Sequence, residues 1–249
     1  SLITDETIFD MRKIVLLCLL LWCNFAPIMS KTYMVSVGVA DYPGTKNDLR
    51  ISSQDAITMR DLYEKNGQSD VVLLLDDKAK LQEVTKQMKS QFDKASEDDT
   101  IILFFAGHGI PGGFVCYDQI LRYGTIKKIM SSSRARSKII FSDACFSGKA
   151  RNTGKRVNSL KNANIMFFLS SRTNDYSIEN TKWHNGFFTA YLERGLRGGA
   201  DLNRDRVITA YELFRFVSEG VKEVSQDKQH PVMWGSFDNE IRPDRKSVV

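Results

Sequence analysis

Short, unbroken apolar runs alternate with amphipathic stretches along this chain, and that alternation does most to constrain its fold. "DVVLLLD" (70–76), "DTIILFFAGHG" (99–109), "SKIIFSDAC" (137–145) and "NIMFFLSS" (164–171) are apolar over most of their length. A strand covered on one face alternates apolar and polar residues. A run that is apolar on both faces suits a parallel sheet covered on both sides. Between the runs, "SQDAITMRDLYEKNG" (53–67) carries Ala56, Ile57, Met59, Leu62 and Tyr63 at helical spacing and stops at Gly67. "KLQEVTKQMKSQFDKA" (80–95), "GFFTAYLERGL" (186–196) and "AYELFRFVSEGVKEV" (210–224) read as further helices, and 119–134 has room for another. "TYMVSVGVADY" (32–42) supplies a first strand and "HPVMWGSF" (230–237) a last one. With no internal repeat and no long linker, the expectation is an α/β/α sandwich around a mostly parallel sheet of about six strands.

The 249 residues, 42% hydrophobic and 26% charged, can bury a sizeable core. The net charge of +5 is mild, and no dense basic run or aromatic-basic interleaving points to nucleic acid as a partner. Met11-Arg12-Lys13, the apolar "IVLLCLLLWC" (14–23) and the mixed "NFAPIMSK" read as a secretory signal. That apolar core is shorter than the roughly 20 residues a bilayer span needs. Residues 1–30 are therefore expected to be upstream sequence and signal peptide, and 31–249 the folded domain. The product is expected to be secreted or periplasmic, without a permanent membrane anchor. Cys18 and Cys23 follow Leu17 and Trp22 rather than a small residue, which disfavours a lipoprotein. Two cysteines then remain, Cys116 and Cys145, too few for a disulfide scaffold.

Ligands of open parallel sheets bind beyond the carboxyl ends of the strands. The run 100–106 empties there into Gly107-His108-Gly109, and the run 138–143 into Ala144-Cys145. If these strands are neighbours, His108 and Cys145 meet across the site, and the chain between them is long enough for a crossover. A thiol of ordinary pKa is only about 3% thiolate at pH 7, and an adjacent imidazole can accept its proton. Backbone amides at Gly109 and Cys145 suit a developing oxyanion. Taken singly, a cysteine at a strand end is usually a small buried hydrophobe, and a lone histidine is usually structural, as His184 and His230 are read here. The pairing of His108 with Cys145 is what points to nucleophilic catalysis. A rival reading takes "CFSGKAR" (145–151) as C-x-x-G-x-x-R, the phosphate-cradling loop of cysteine phosphatases. Ala144 and Asn152 depart from that pattern, which also leaves the Gly-His-Gly turn without a role.

"IILFFAGHG" together with "KIIFSDACFSG" resembles the caspase-like cysteine peptidases, the bacterial-type metacaspase/orthocaspase branch in particular. "VSVGVADY" is similar to that family's first strand, and "LRISSQDAITMRDLYEKNG" to its leucine…Asn-Asp-Ala helix start, with Gln54 for the asparagine. "NGFFTAYLERGL" is similar to the late Gly-x-Phe-Thr helix, and "QHPVMWG" to the closing Gln-x-Pro segment. The resemblance covers about residues 32–236. It implies a caspase-like fold and a His108–Cys145 dyad. Phe146 stands where the family often has a histidine that is not the general base. Caspases place a glutamine two residues before the cysteine; Asp143 stands there, as in metacaspases, with Asp55 at the matching helix start. Two carboxylates in one pocket would hold a substrate arginine or lysine. Asp55 equally suits a cap for a helix over 55–66. Tyr176, in "SSRTNDYSIEN", is a further pocket candidate. The stretch 148–162, with Lys149, Arg151, Lys155 and Arg156, follows the nucleophile where family members often self-cleave.

The expected activity is thus a cysteine endopeptidase, made as a zymogen, that cleaves polypeptides after arginine or lysine. A non-catalytic binding module on the same fold is the alternative. No cofactor is required. Calcium enters because many metacaspases need it, and because Asp201, Asn203, Asp205, Thr209 and Glu212 in "DLNRDRVITAYE" (201–212) have EF-hand-like spacing. Arg206 replaces the glycine of that loop, and a capping box from Thr209 to Glu212 is the simpler reading.

Overall fold

The computed structural model describes residues 30–65, 67–146, 165–170 and 184–235, with Cys145 and Phe146 described in backbone only. Along the chain come β1 (Thr32–Gly38), α1 (Ser52–Glu64), β2 (Ser69–Leu75), α2 (Leu81–Phe92) and β3 (Thr100–Ile110). There follow β4 (Gly113–Val115), β5 (Ile120–Arg122), α3 (Tyr123–Ser132), β6 (Ser137–Phe146) and β7 (Met166–Leu169). α4 (Phe187–Arg194), α5 (Ala210–Val224) and β8 (Val232–Trp234) complete the described α-helices and strands. The strands lie in the order β2-β1-β3-β6-β7-β8, with the β4–β5 hairpin attached to the end of β3. β2, β1, β3, β6 and β7 pair in parallel, and β8 closes the edge antiparallel to β7.

Helices cover both faces, which is why the strands read as continuous apolar runs. One face packs Val35, Val37, Leu103, Phe105 and Ile140 against Val84, Met88 and Phe92 of α2 and Ile126 and Met130 of α3. The other packs Met34, Ile102, Phe104, Phe141 and Phe168 against Met59 and Leu62 of α1, Phe188 and Leu192 of α4, and Leu213 and Val217 of α5. Burying one such side chain is worth roughly 1.5–3 kcal/mol, so these two clusters hold the three layers together. α1 sits especially close to the sheet. A Cβ on Gly38 would lie 2.7 Å from both the Ala56 Cβ and the Ser52 carbonyl oxygen. Only glycine lets the first turn of α1 settle over the carboxyl end of β1.

The fold is the expected α/β/α sandwich with a mostly parallel sheet, and one local expectation needs correction. α1 begins at Ser52, its N-cap is Ile51 with no side-chain cap bond, and Asp55 therefore does not cap it. The 119–134 stretch holds the expected helix as α3, with β5 before it. The β4–β5 hairpin was not anticipated, because each strand has three residues and a Pro111-Gly112-Gly113 run reads only as a turn.

Candidate active site

β3 and β6 are adjacent, parallel and in a register that pairs His108 with Cys145, and Gly109 with Phe146. Paired positions on neighbouring strands stand about 4.8 Å apart across the ladder. The two residues singled out from the sequence thus share one carboxyl end of the sheet.

His108 is held by three contacts to the segment after β1. Its Nε2 lies 2.7 Å from the Asn47 carbonyl oxygen. A carbonyl can only accept, so Nε2 carries the hydrogen, and in the neutral ring Nδ1 is left with the lone pair. Its backbone N–H donates to the Tyr42 hydroxyl at 2.9 Å. The Tyr42 ring lies 4.9 Å from the imidazole centroid to centroid. The hydroxyl in turn donates to the Val115 carbonyl at 3.0 Å, so the β4 strand steadies it. Burial pushes the Tyr42 hydroxyl well above the ordinary phenol range, which keeps it a neutral donor. Gly107 makes room for this contact: a Cβ there would lie 2.8 Å from the Tyr42 hydroxyl, and its φ is +154°. Asn47 and Tyr42 were not read from the sequence as site residues. Asn47 acts through its backbone, which leaves no residue-type signal, whereas the aromatic residue just after the β1 run was a visible hint.

Asp55 and Asp143 come together. Asp55 is 2% exposed and Asp143 8% exposed. Asp55 Oδ1 accepts from Asn185 Nδ2 at 2.9 Å and from the Gly186 N–H at 3.0 Å. Asp143 Oδ2 accepts from the Thr189 N–H at 3.2 Å and the Thr189 hydroxyl at 2.8 Å. Both carboxylates therefore lie at the N-terminus of α4, whose first amides have no partners within the helix and carry the positive end of its dipole. A Cβ on Gly186 would meet Asp143 Oδ2 at 2.7 Å and Asp55 Oδ2 at 3.3 Å. Gly186 has an ordinary φ of −57°, so space alone calls for glycine there. Two buried carboxylates converging on one point repel each other unless positive charge faces them. The helix end supplies part of that, and a cationic side chain would supply more.

Tyr176 and the 148–162 stretch fall outside the described residues, as do residues 1–29 of the 1–30 segment expected to be a leader. Cys116 is a free, fully buried thiol whose pKa burial pushes up to about 12. In the 201–212 loop, Thr209 and Glu212 form a capping box on α5. The Asp205 N–H donates to Asp201 Oδ1 at 3.2 Å and Asn203 Oδ1 at 2.9 Å. Among the described residues, no group of three or more His, Cys, Asp or Glu side chains is arranged to hold a metal ion. Nor does any helix among them have the length and apolar character to cross a membrane.

Comparison with known proteins bears on this arrangement. A family model described as the caspase domain matches residues 33–240. The fold is similar to that of a Geobacter sulfurreducens protein of known crystal structure, with a TM-score of 0.66 at 17% identity, covering 88% of this chain and 99% of that one. It is also similar to caspase-1 from Spodoptera frugiperda, with a TM-score of 0.63 at 14% identity, covering 84% of this chain and 88% of that one. At such identities the structural likeness speaks for the fold alone. No curated protein matches the sequence.

Proposed function

The chain belongs to the caspase domain family, and from that premise we propose that it is a cysteine endopeptidase with a His108–Cys145 dyad and a preference for arginine or lysine before the scissile bond. The observation that carries the proposal is the register that pairs His108 with Cys145, with the His108 Nε2–H committed to the Asn47 carbonyl. That leaves Nδ1 as the basic nitrogen.

In this mechanism Nδ1 of His108 takes the thiol proton of Cys145, and the thiolate attacks the substrate carbonyl carbon. The negative charge passes to the carbonyl oxygen, where the backbone N–H groups of Gly109 and Cys145 receive it. One such donor is typically worth roughly 100- to 1000-fold in rate. The imidazolium then gives its proton to the leaving amine as the C–N bond breaks, and a thioester links substrate to Cys145. Water, deprotonated by the same Nδ1, releases the acid and frees the thiol. The Asn47 carbonyl stabilises the imidazolium at each stage, because it accepts from Nε2 in both protonation states.

Asp55 and Asp143 support the basic preference, since both are buried carboxylates converging at Gly186. Tyr176 adjoins the same pocket in this reading. Export through the leader, self-processing within 148–162 and any calcium requirement belong to the same proposal. The test is hydrolysis of fluorogenic peptides ending in arginine, lysine or aspartate, with calcium or a chelator, by wild type and Cys145→Ala. Turnover of the basic peptides by wild type only is the expected result. Preference for aspartate would remove the pocket assignment. Equal turnover by Cys145→Ala would remove Cys145 as the nucleophile, and no turnover even after deliberate nicking within 148–162 would leave a binding module or the phosphatase loop as the better reading.

A further inference from the structure

The general base is held by a segment that is itself held from outside the site. Residues 39–51 join β1 to α1 and contain a single short 3-10 turn, Thr45–Asn47. This segment delivers both the Asn47 carbonyl and the Tyr42 hydroxyl to His108. Its arms meet where the Leu49 N–H donates to the Ala40 carbonyl at 2.8 Å, and Tyr42 N–H is bound by Asp48 Oδ1 at 3.0 Å. Besides the Tyr42 hydroxyl on Val115 and the Val39 N–H on the Ala106 carbonyl, a carboxylate ties the start of this loop to the rest of the molecule. Asp76, just past the end of β2, accepts on Oδ1 from the Ala40 N–H at 2.8 Å, the Asp41 N–H at 3.0 Å and the Ser53 hydroxyl at 2.7 Å. The first two donors lie at the loop's beginning. The third lies in the first turn of α1, two residues before Asp55.

Asp76 also has a left-handed backbone, with φ of +46°. A non-glycine residue adopts that region at a cost, which aspartate and asparagine bear more easily than most. Such strain persists only where surrounding contacts over-determine it. Here three donors converge on one ionised oxygen, and charge-assisted bonds are about twice as strong as neutral ones.

We propose that Asp76 is a positioning residue for His108: its carboxylate staples the two ends of the 39–51 loop, so that the Asn47 carbonyl stays in place and fixes the Nε2–H tautomer of the general base. The inference rests on the peptidase reading for its consequence in catalysis, but not for its structural content. Asp76 lies at the end of β2, separated from β3 by β1 in the sheet order, and acts only through the loop.

The experiment uses the full chain labelled with 15N-histidine. The chain has three histidines, so the His108 signals can be assigned by His108→Gln. A hydrogen-bonded Nε2–H exchanges slowly with water and gives a proton resonance; a free one does not. Asp76→Gly removes the carboxylate while relieving the left-handed strain, since glycine takes that φ freely, so folding is favoured in the variant. Asp76→Asn keeps an acceptor oxygen and tolerates the same φ. Ser53→Ala removes one donor and leaves Asp76 untouched. The His108 Nε2–H resonance is expected in wild type and Asp76→Asn, weakened by faster exchange in Ser53→Ala, and lost in Asp76→Gly. An unchanged resonance in Asp76→Gly overturns the proposal, as does equal loss in Asp76→Asn. On any peptide that wild type cleaves, Asp76→Gly should lower kcat by roughly tenfold or more with smaller change in KM, because catalysis is sensitive to small misplacement of the base, and Asp76→Asn should restore it. If no peptide is cleaved, the peptidase reading fails while the resonance still decides the role of Asp76.

Discussion

On one face of the sheet, Phe105 stacks on Phe114 with ring centroids 4.5 Å apart, and Phe114 continues to Phe167 at 6.3 Å. Tyr123 meets both Phe114 and Phe167 edge-on, and Cys116 is sealed among these apolar groups. On the opposite face, at the same carboxyl end of the strands, the buried side chains include Asp55, Asp143, Asn185 and Thr189. Both faces are covered by helices and packed with apolar side chains, yet at this end of the strands one is an aromatic wall and the other carries a set of buried hydrogen bonds built around two carboxylates. The difference follows from where the helices start. α2 and α3 lay apolar stripes against the middle of the sheet, whereas α4 points its N-terminus at the strand ends and offers unpaired amides to Asp55 and Asp143. A face used only for stability can remain dry. A face that presents a helix terminus to a strand end has to bury polar groups, and becomes able to bind charge.

The contrast can be broken from either side, and the largest effect belongs to the strand end itself. His108→Ala is expected to lower kcat by roughly 100- to 10,000-fold, the usual range for loss of a general base, with the unfolding transition little moved. Loss of turnover accompanied by loss of the folded state would instead make His108 structural. On the aromatic wall, Phe114→Ala should cost about 3–5 kcal/mol in denaturant unfolding, because the ring is fully buried among Phe105, Tyr123 and Phe167. The same variant should keep its ratio of arginine to aspartate peptide hydrolysis.

Asp143→Asn sharpens the comparison. The amide oxygen still accepts from Thr189, and repulsion with Asp55 is relieved, so stability should change by less than about 1 kcal/mol. Catalytic efficiency on basic peptides should fall by about 2–3 kcal/mol of transition-state binding, as when one member of a buried charge pair is neutralised. A large stability loss with unchanged peptide preference would make Asp143 a tertiary helix cap and nothing more. The smallest effect expected is at the 201–212 loop, where Thr209→Ala removes the capping box and should cost about 1 kcal/mol.

Much of the fold was legible because burial and periodicity leave strong marks. α5 spans Ala210–Val224, the range its apolar spacing predicts, and Thr209 and Glu212 mark its start. β3 and β6 read as apolar runs that end in small residues, and their register sets His108 beside Cys145. Asp55 was half legible. It was placed at the first turn of a helix, but its partners Asn185 and Gly186 lie far along the chain. A local capping rule cannot see such partners. Asn47 was illegible for a different reason, since any residue offers a carbonyl. Asp76 was hidden because its donors, Ala40, Asp41 and Ser53, become neighbours only after β1 and β2 pair.

In the proposed enzyme the nucleophile sits at the polar strand end and is served by an acidic pocket. The most direct measurement treats the wild-type chain with peptide ketones that alkylate an attacking thiol, one ending in arginine and one in aspartate, and maps the adduct by mass spectrometry. The expected result is rapid addition of the arginine reagent to Cys145, slow addition of the aspartate reagent, loss of labelling in His108→Ala, and no adduct on Cys116, whose buried thiol is pushed up to about 12. An adduct on Cys116, faster labelling by the aspartate reagent, or undiminished labelling in His108→Ala would contradict it.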